Sequence, residues 1–270
     1  MTTAIDLTGQ VAVVTGGGGG IGAATSYALA AAGADVVVAE IDEQRAKETV
    51  ERIRSDGRSA DAVAVDVTSQ ADVERLAGTV GRADLLVNNV GHHLGPRPFA
   101  DSGAAHWDAL HAVNFGHVLA CSRAFLPGMI ERGAGSIVNV ASVEGLRGYP
   151  ADPVYGAYKA AVCHFTTCLA LEVAQHGVRV NAIAPDVTQS LQVDYDSFVP
   201  DELRDHWPVW VPVGRRGEPE DSADVVVFLA SPLARFVTGH VIPTDGGTLA
   251  AGGWFRTMGR GRWTNRPRDP

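Results

Sequence analysis

The feature that most constrains the fold is a regular alternation of short apolar runs with longer segments of helical periodicity. The short runs are rich in β-branched residues, which favours strands. Strands are predicted at residues 10–15, 35–39, 60–65, 84–87, 135–141 and 178–183, and helices at 21–32, 43–55, 107–130 and 154–176. Continuous apolar strands joined by helices indicate a parallel sheet covered on both faces, and right-handed crossovers make it doubly wound. The predicted fold class is therefore α/β.

Length and composition fit one folded unit with an extension. The chain has 270 residues, of which 46% are hydrophobic and 20% charged, an ordinary globular mixture. No linker interrupts the alternation, so residues 1–253 are predicted to form a single domain, with a lid at about 186–212 where the strand pattern breaks. Residues 254–270 form an arginine-rich extension, which is either a disordered end or a tail docked by Trp254, Phe255 and Trp263.

Charge and cysteine content restrict the partners and the compartment. The net charge of −9 argues against nucleic acid or an anionic membrane as the main partner. No apolar stretch is long enough for a transmembrane helix, and the first residues do not have the pattern of a signal peptide. The three cysteines are scattered rather than paired. These observations predict a cytoplasmic protein that binds neither membrane nor nucleic acid.

A run of glycines joins the first predicted strand to the first predicted helix, in the sequence Thr15-Gly16-Gly17-Gly18-Gly19-Gly20-Ile21-Gly22. Glycine lets the backbone turn sharply and approach a phosphate closely, and the helix N-terminus adds free N–H groups and a positive dipole end. In this strand–loop–helix context the run matches a dinucleotide-binding fingerprint. Gly16, Gly20, Ile21 and Gly22 are therefore candidate cofactor-binding residues, with a merely flexible turn as the alternative.

An acidic residue, Glu40, lies just past the second predicted strand. A carboxylate at this point of a dinucleotide fold accepts hydrogen bonds from the adenosine ribose hydroxyls and repels a 2′-phosphate. No lysine or arginine occurs in the glycine run or directly after Glu40. The sequence therefore predicts NAD rather than NADP as cofactor. The alternative is that Glu40 only begins a solvated surface run.

A tyrosine, a lysine and a serine form the candidate catalytic group. Tyr155 and Lys159 lie one helical turn apart, so both occupy one face of the predicted helix. A phenol is a poor base at neutral pH, and a nearby ammonium lowers its pKa by favouring the phenolate. Such a pair moves a proton to or from an alcohol oxygen, to which the hydroxyl of Ser142 at a strand end can also bond.

Together, these motifs resemble the short-chain dehydrogenase/reductase family over residues 7–253. The resemblance implies a seven-stranded Rossmann fold and a homotetramer. It also implies that Tyr155 is the catalytic acid/base, that Lys159 lowers its pKa and binds the nicotinamide ribose, and that Ser142 orients the substrate oxygen. Asn114 would hold a proton-relay water. Further cofactor positions implied by the resemblance are Asp66 and Val67 at the adenine, Asn88 and Gly91 beside the cofactor, and Pro185 and Thr188 near the carboxamide.

Two departures from the family pattern stand out. Val90 replaces the usual alanine of the Asn-Asn-Ala-Gly motif, and Asp186 replaces the usual glycine after Pro185. Aspartate adopts the left-handed backbone conformation less easily than glycine. The contact with the carboxamide stays open here, because spacing from Pro185 favours Ser190 whereas residue type favours Thr188.

The predicted lid suggests a substrate class. It holds Tyr195, Phe198, Trp207 and Trp210, and Val143, Leu146 and Tyr149 are expected to add walls to a pocket. Large aromatic area predicts a bulky hydrophobic or cyclic alcohol or ketone, unless the aromatic side chains only anchor the lid. The acidic residues of the lid would repel an anionic carrier such as acyl carrier protein.

The histidines give no metal-binding pattern. His92 and His93 directly follow the Asn88–Gly91 turn, where they either line the pocket or are solvated. The other histidines lack metal-ligand spacing, so no metal site is predicted. The sequence as a whole predicts an NAD-dependent oxidoreductase that interconverts a secondary alcohol and a ketone. The alternatives are an NADPH-type 3-oxoacyl thioester reductase and a non-catalytic cofactor-binding protein.

Overall fold

A seven-stranded parallel sheet forms the centre of the computed structural model, which describes residues 5–256 and 263–264. Its strand order is β3-β2-β1-β4-β5-β6-β7. The strands are β1 (Val11–Thr15), β2 (Asp35–Glu40), β3 (Ala60–Ala64), β4 (Leu85–Asn88), β5 (Gly135–Val140), β6 (Val178–Pro185) and β7 (Val241–Thr244). The main helices are α1 (Gly20–Ala31), α2 (Glu43–Ser55), α3 (Gln70–Val80), α4 (Ala104–His111), α5 (His117–Arg132), α6 (Pro153–Val173), α7 (Tyr195–Phe198), α8 (Trp207–Trp210), α9 (Pro219–Ala230) and α10 (Thr248–Ala251).

Apolar side chains fill both faces of the sheet, which confirms the predicted doubly wound α/β fold. One cluster lies between the sheet and α1, α2 and α9, and includes Leu29, Ile53 and Leu229. The second lies between the opposite face and α3, α5 and α6, and includes Leu76 and Met129. Strands covered on both faces read as continuous apolar runs, which is why the sequence pattern revealed them. Among the described residues, no helix has the length and apolar character needed to cross a membrane.

The predicted helix at 107–130 is longer and less regular than expected. Helical structure runs from Ala104 to Arg132, with a π-helical segment, Ala112–Gly116, between α4 and α5. Pro127 lies inside α5, which continues to Arg132. A π-helical segment marks a functional position in many helices, and here it carries Asn114.

The edge of the sheet and the extension were harder to predict. The sequence pattern did not locate β7, an edge strand with Pro243 inside it, because proline cannot donate to a strand ladder and weakens the strand signal.

In the extension, a short strand β8 (Phe255–Arg256) pairs with β9 (Trp263–Thr264) and lies beside α8 of the lid. The predicted docking by Phe255 and Trp263 side chains lies outside the described residues.

The central core predicts the effect of a cavity mutation. Leu86 on β4 is fully buried in the second cluster, so Leu86→Ala should lower the free energy of unfolding by about 2–5 kcal/mol. The matched control is Leu203→Ala in the lid, where the side chain is 38% exposed and a loss of about 0.5 kcal/mol is expected. Urea unfolding followed by far-UV circular dichroism measures both; equal losses would contradict this assignment of the core.

Candidate active site

A cavity of about 730 Å³ opens at the carboxyl ends of the central strands. It extends from the glycine loop after β1, past Tyr155, to the lid residues that follow β6. The order of the sheet reverses at β1, whose neighbours are β2 and β4. Open parallel sheets bind their ligands in the crevice at this reversal. The cavity therefore occupies the position where the fold accommodates a cofactor.

Two glycines of the loop meet strict steric requirements. Gly16 has a φ of +62°, and a Cβ atom on Gly22 would lie 2.0 Å from the carbonyl oxygen of Gly16. Helix α1 begins at Gly20, so its first-turn N–H groups lie at the cavity, which Gly16, Gly20 and Ile21 line. These N–H groups and the helix dipole fit the pyrophosphate of a dinucleotide. Gly22 packs behind the loop, where it permits the close approach of helix and strand.

Glu40 at the end of β2 is almost fully buried at the cavity wall. One carboxylate oxygen, Oε2, accepts a hydrogen bond from the N–H of Gly18 at 3.1 Å. The other, Oε1, accepts from the N–H of Ile41 at 3.0 Å and from the guanidinium of Arg45 at 3.1 Å. Glu40 therefore holds the glycine loop against β2 while it lines the cavity.

Arg45 was not identified from the sequence. It lines the cavity beside Glu40 although five positions separate them. The signal that could have revealed it is Asp42, which caps α2 by accepting from the N–H of Arg45 at 3.1 Å. This cap fixes the first turn of α2 so that Arg45 can contact Glu40 at the end of β2. An arginine near the ribose accommodates a 2′-phosphate in NADP-binding folds, so the Glu40–Arg45 ion pair bears directly on cofactor choice.

The N-terminus of α6 positions the catalytic tyrosine. Asp152 is fully buried and caps the helix, since its Oδ1 accepts from the N–H groups of Val154 and Tyr155 at 3.1 Å each. Its second oxygen lies 3.1 Å from Nε2 of His106 on α4. The cap residue is thus held from two sides. The backbone of Tyr155 is fixed by the same side chain that begins the helix.

The ammonium of Lys159 is buried between α6 and the sheet. Its Nζ donates to the carbonyl of Val140 at 3.1 Å and lies 5.8 Å from the centre of the Tyr155 ring. A Cβ atom on Gly91 would lie 2.7 Å from this Nζ and 3.3 Å from Oδ1 of Asn114. Gly91 is therefore needed where these two side chains converge.

Asn114 in the π-helical segment binds the loop after β4. Its Oδ1 accepts from the N–H of His92 at 3.0 Å, and its Nδ2 donates to the carbonyl of His92 at 2.8 Å. Ser142 follows β5, lines the cavity, and its Oγ accepts from the N–H of Glu144 at 3.2 Å. Its O–H thus remains available to donate. The structure brings Ser142, Tyr155 and Lys159 to one end of the cavity. Asn114 is fully buried behind the loop after β4 and does not line the cavity.

Burial controls the protonation of the catalytic pair. It raises the pKa of Tyr155 well above its ordinary value, and the nearby Ser142 hydroxyl lowers that pKa by a smaller amount. Burial lowers the pKa of Lys159 to about 8. Desolvation is thus the larger of these two opposing causes for Tyr155, and the lowering of the phenol pKa by Lys159 stays a prediction.

The other predicted cofactor positions divide into two groups. Asn88 is buried in the core, where its amide donates to Asn139 at 2.9 Å and to Ser122 at 3.2 Å. It supports the strand ends and does not line the cavity, whereas its neighbour Asn89 does. The predicted positions that do line the cavity are Asp66, Val67, Gly91, Pro185 and Thr188.

The backbone conformation after β6 differs from the one expected for an aspartate at position 186. The positive φ, +36°, falls on Val187 and not on Asp186. A β-branched residue in this region is strained; the N–H of Val187 donates to Oδ1 of Asp186 at 2.9 Å and so ties the turn. Thr188 donates its hydroxyl to the carbonyl of Asp186 at 2.7 Å. Thr188 and Ser190 both line the cavity, so both remain candidates for the carboxamide contact.

The substrate end of the cavity is more polar than the sequence suggested. Of the lid aromatics, only Tyr195 lines it; Trp207 and Trp210 pack edge to face, with ring centres 6.2 Å apart. Neither Val143 nor Leu146 lines the cavity, the former being buried in the body and the latter 40% exposed. The polar side chains that line this end are His92, His93, Glu144, Tyr149, Asp186, Gln192 and Tyr195.

Comparisons with known proteins agree with this geometry. Residues 16–248 match a family model described as enoyl-(acyl carrier protein) reductase. A 2-(S)-hydroxypropyl-CoM dehydrogenase of Xanthobacter autotrophicus is 37% identical, over 90% of this chain and 98% of that protein. A galactitol 2-dehydrogenase of Rhizobium johnstonii is 39% identical, over 89% of this chain and 95% of that protein. A solved 7α-hydroxysteroid dehydrogenase in complex with NADH and 7-oxo glycochenodeoxycholic acid is 31% identical, covers 90% of this chain and 96% of its own, and has a TM-score of 0.84.

The chain belongs to the short-chain dehydrogenase/reductase family. As a member of this family, the protein is an oxidoreductase that acts on CH–OH groups with NAD or NADP. Its glycine loop and the Tyr155–Lys159 pair are the features that carried the resemblance. Within residues 5–256 and 263–264, no group of three or more histidine, cysteine or acidic side chains is arranged to hold a metal ion.

The buried lysine predicts a pH-dependent stability. Its pKa in the folded protein, about 8, lies below the ordinary 10.5, so between these values the folded state loses a proton that the unfolded state keeps. The contribution of Lys159 to the free energy of unfolding should then rise with pH from about 8 to 10.5, against an opposite trend above about pH 9 from the buried Cys121 thiol, whose pKa is raised to about 12. Lys159→Met should abolish this rise and be more stable than the wild type at pH 7 by up to about 3 kcal/mol.

Urea unfolding of the cofactor-free protein between pH 7 and 10 measures this effect. Lys47→Met is the matched control, because Lys47 is 61% exposed on α2 and its removal should leave the pH slope intact. Identical slopes for Lys159→Met and the wild type would show that the Lys159 ammonium is not destabilised by burial.

Proposed function

We propose that the protein is an NAD-dependent dehydrogenase that interconverts a secondary alcohol and a ketone by hydride transfer. The observation that carries the proposal is the convergence of the Tyr155 phenol, the Ser142 hydroxyl and the Lys159 ammonium at one end of a cavity whose other end is the glycine loop. This arrangement handles the proton of an alcohol oxygen next to a dinucleotide site. A non-catalytic cofactor-binding role would leave the Ser142 hydroxyl beside the Tyr155 phenol unexplained.

The proton chemistry follows from the burial of the pair. As a protonated phenol, Tyr155 donates a proton to a ketone oxygen, and Ser142 orients that oxygen with its free O–H. For alcohol oxidation the phenol must first lose its proton, and the positive charge of Lys159 stabilises the phenolate. Asn114, clamped to the loop after β4, is proposed to hold the water that passes this proton onward. The bound cofactor supplies the hydride acceptor.

NAD is proposed as the cofactor on the strength of Glu40. Its buried carboxylate lies at the cavity wall, where a 2′-phosphate would meet a second negative charge. Arg45 is already paired with Glu40, which reduces its ability to attract a phosphate. The residues proposed to hold the dinucleotide are Gly16, Gly20 and Ile21 at the pyrophosphate, Glu40 at the ribose, Asp66 and Val67 at the adenine, Gly91, Tyr155 and Lys159 at the nicotinamide ribose, and Pro185 with Thr188 or Ser190 at the carboxamide.

Relatives inform the substrate class only broadly. The names of two similar proteins specify hydroxylated substrates, 2-(S)-hydroxypropyl-CoM and galactitol, which supports a secondary alcohol. For the bulky hydrophobic substrate predicted from the lid, the cavity lining provides Tyr195, whereas Trp207 and Trp210 do not line it. The 3-oxoacyl thioester alternative is disfavoured by Glu40, which opposes NADPH, and by carboxylates at the substrate end.

Assembly and location are proposed from an apolar surface groove and from the state of the cysteines. A groove of about 620 Å³ between α5 and α6 is lined mainly by apolar side chains, among them Leu126, Ile130 and Phe165. Covering this face with a second copy of the chain would remove apolar surface from water, which supports the proposed homotetramer. A cytoplasmic setting is proposed because Cys121, Cys163 and Cys168 are all unpaired thiols.

Replacement of the catalytic phenol tests the reaction. Tyr155→Phe should lower kcat for NAD reduction by about 100- to 10,000-fold, since the proton acceptor is lost, while NADH binding measured by fluorescence is retained. The control is Tyr158→Phe, three residues further along the same helix. Tyr158 packs against His111, and this variant should keep near wild-type activity. Turnover that survives in Tyr155→Phe would refute the proposed mechanism.

Cofactor choice is tested at Glu40. In Glu40→Ala, the ratio of kcat/KM for NAD to that for NADP should fall by at least about tenfold, because the repulsion of the 2′-phosphate disappears and Arg45 is released to bind it. Glu43→Ala is the control, since Glu43 is 69% exposed and pairs with Lys47. An unchanged ratio in Glu40→Ala would rule out this role for the carboxylate.

A further inference from the structure

Two histidines at the substrate end present hydrogen-bond donors. Nδ1 of His92 accepts from the N–H of Leu94 at 2.8 Å, and Nδ1 of His93 accepts from the N–H of Gly95 at 3.1 Å. Partial burial lowers the pKa of both rings, so each is neutral at physiological pH. A neutral imidazole whose Nδ1 accepts must carry its proton on Nε2. Both residues line the cavity, so each offers one N–H to a ligand.

Two carboxylates at the same end present acceptors. Glu144 and Asp186 line the cavity, with side chains only 15% and 12% exposed. Arg147 bridges them, since its Nη2 lies 2.8 Å from Oε1 of Glu144 and 2.9 Å from Oδ2 of Asp186. One guanidinium between two carboxylates leaves one negative charge in excess. This charge lies close to Tyr195, whose pKa is raised to about 12 by its burial and then by Asp186.

Asp186 is firmly placed in this position. Besides Arg147, its Oδ2 accepts from the hydroxyl of Thr248 at 2.5 Å, and its Oδ1 accepts from the N–H of Val187 at 2.9 Å. These contacts join the end of β6 to α10 and to the segment that follows Ser142. The carboxylate therefore cannot turn away from the cavity without breaking several hydrogen bonds.

Hydroxyl groups satisfy this set of partners. A hydroxyl accepts from the imidazole N–H groups and donates to the carboxylates. A carboxylate or phosphate on the substrate only accepts, and it would meet the excess negative charge. A purely apolar alcohol would leave the two imidazole N–H groups without partners, and it would offer no donor to the carboxylate lone pairs that Arg147, Thr248 and Val187 do not occupy, which is costly.

We infer that the substrate is a neutral polyhydroxylated alcohol and that Asp186 determines its selection against anionic analogues. The inference rests on the proposed function, because it concerns the substrate of the same reaction. The hydroxyl to be oxidised lies at Ser142 and Tyr155, and neighbouring hydroxyls bind His92, His93, Glu144 and Asp186. Asp186 acts as a specificity-determining residue and takes no part in proton transfer.

The wild-type enzyme provides the first test. Initial rates of NAD reduction are compared for ribitol with ribonate, for mannitol with mannonate, and for trans-1,2-cyclohexanediol with cyclohexanol. At least one of the neutral polyols, namely ribitol, mannitol or trans-1,2-cyclohexanediol, should be oxidised with kcat/KM at least about tenfold above its partner. A kcat/KM for cyclohexanol, or for an aldonate, that equals or exceeds that of every neutral polyol would overturn the inference and leave the proposed function intact. If no alcohol reduces NAD, the proposed function itself fails.

A charge-removing variant tests Asp186 directly. Asp186→Asn keeps the shape of the side chain, and should shift the alditol-to-aldonate ratio of kcat/KM toward the aldonate by at least about tenfold. A merely structural role would lower both rates together and leave the ratio unchanged, which would overturn the assignment. Asp196→Asn is the control, because Asp196 belongs to the lid and also pairs with an arginine, Arg216. If Asp186→Asn does not fold, Glu144→Gln tests the same charge and should shift the ratio in the same direction.

Discussion

A buried ammonium is the constraint around which the active site is arranged. Removing a lysine charge from water costs several kcal/mol unless partners compensate, and Lys159 has the Val140 carbonyl as its hydrogen-bond acceptor. The lowered pKa of Lys159 reflects the part of this desolvation cost that the hydrogen bond does not offset. Stability alone would favour an apolar side chain here. The surroundings are shaped to keep the charge in place, since Gly91 has no side chain that could displace it.

The neighbouring elements fix the groups that act with this charge. Asp152 caps α6 through the N–H of Tyr155 and is itself held by His106 on α4. The π-helical segment between α4 and α5 carries Asn114, which clamps the loop after β4 through both atoms of its amide. Catalytic geometry in this protein thus depends on helix termini and irregular helical turns. The regular strands supply the rigid edge from which these segments extend.

Cofactor and substrate ends use carboxylates in a similar way. Glu40 ties the glycine loop to β2 while it lines the cofactor end. Asp186 ties the end of β6 to α10 while it lines the substrate end. Each carboxylate has an arginine partner, Arg45 or Arg147, that offsets part of its burial cost. Recognition and local stability therefore reside in the same side chains, so variants at these positions need paired controls.

The sequence by itself determined the alternating α/β fold, the glycine loop and the Tyr155–Lys159 pair, because all three are patterns of short range. Buried parallel strands are continuously apolar, and residues one helical turn apart share a face wherever the helix packs. Only the tertiary structure decided that Arg45 reaches Glu40, that Asn88 turns into the core, and that Arg147 joins Asp186. Those contacts depend on loop backbone conformations and on segments distant in sequence, for which no periodicity exists. The same reason explains why the aromatic residues of the lid were assigned to the pocket, although of these only Tyr195 lines it, and Phe198 and Trp210 are more than half exposed.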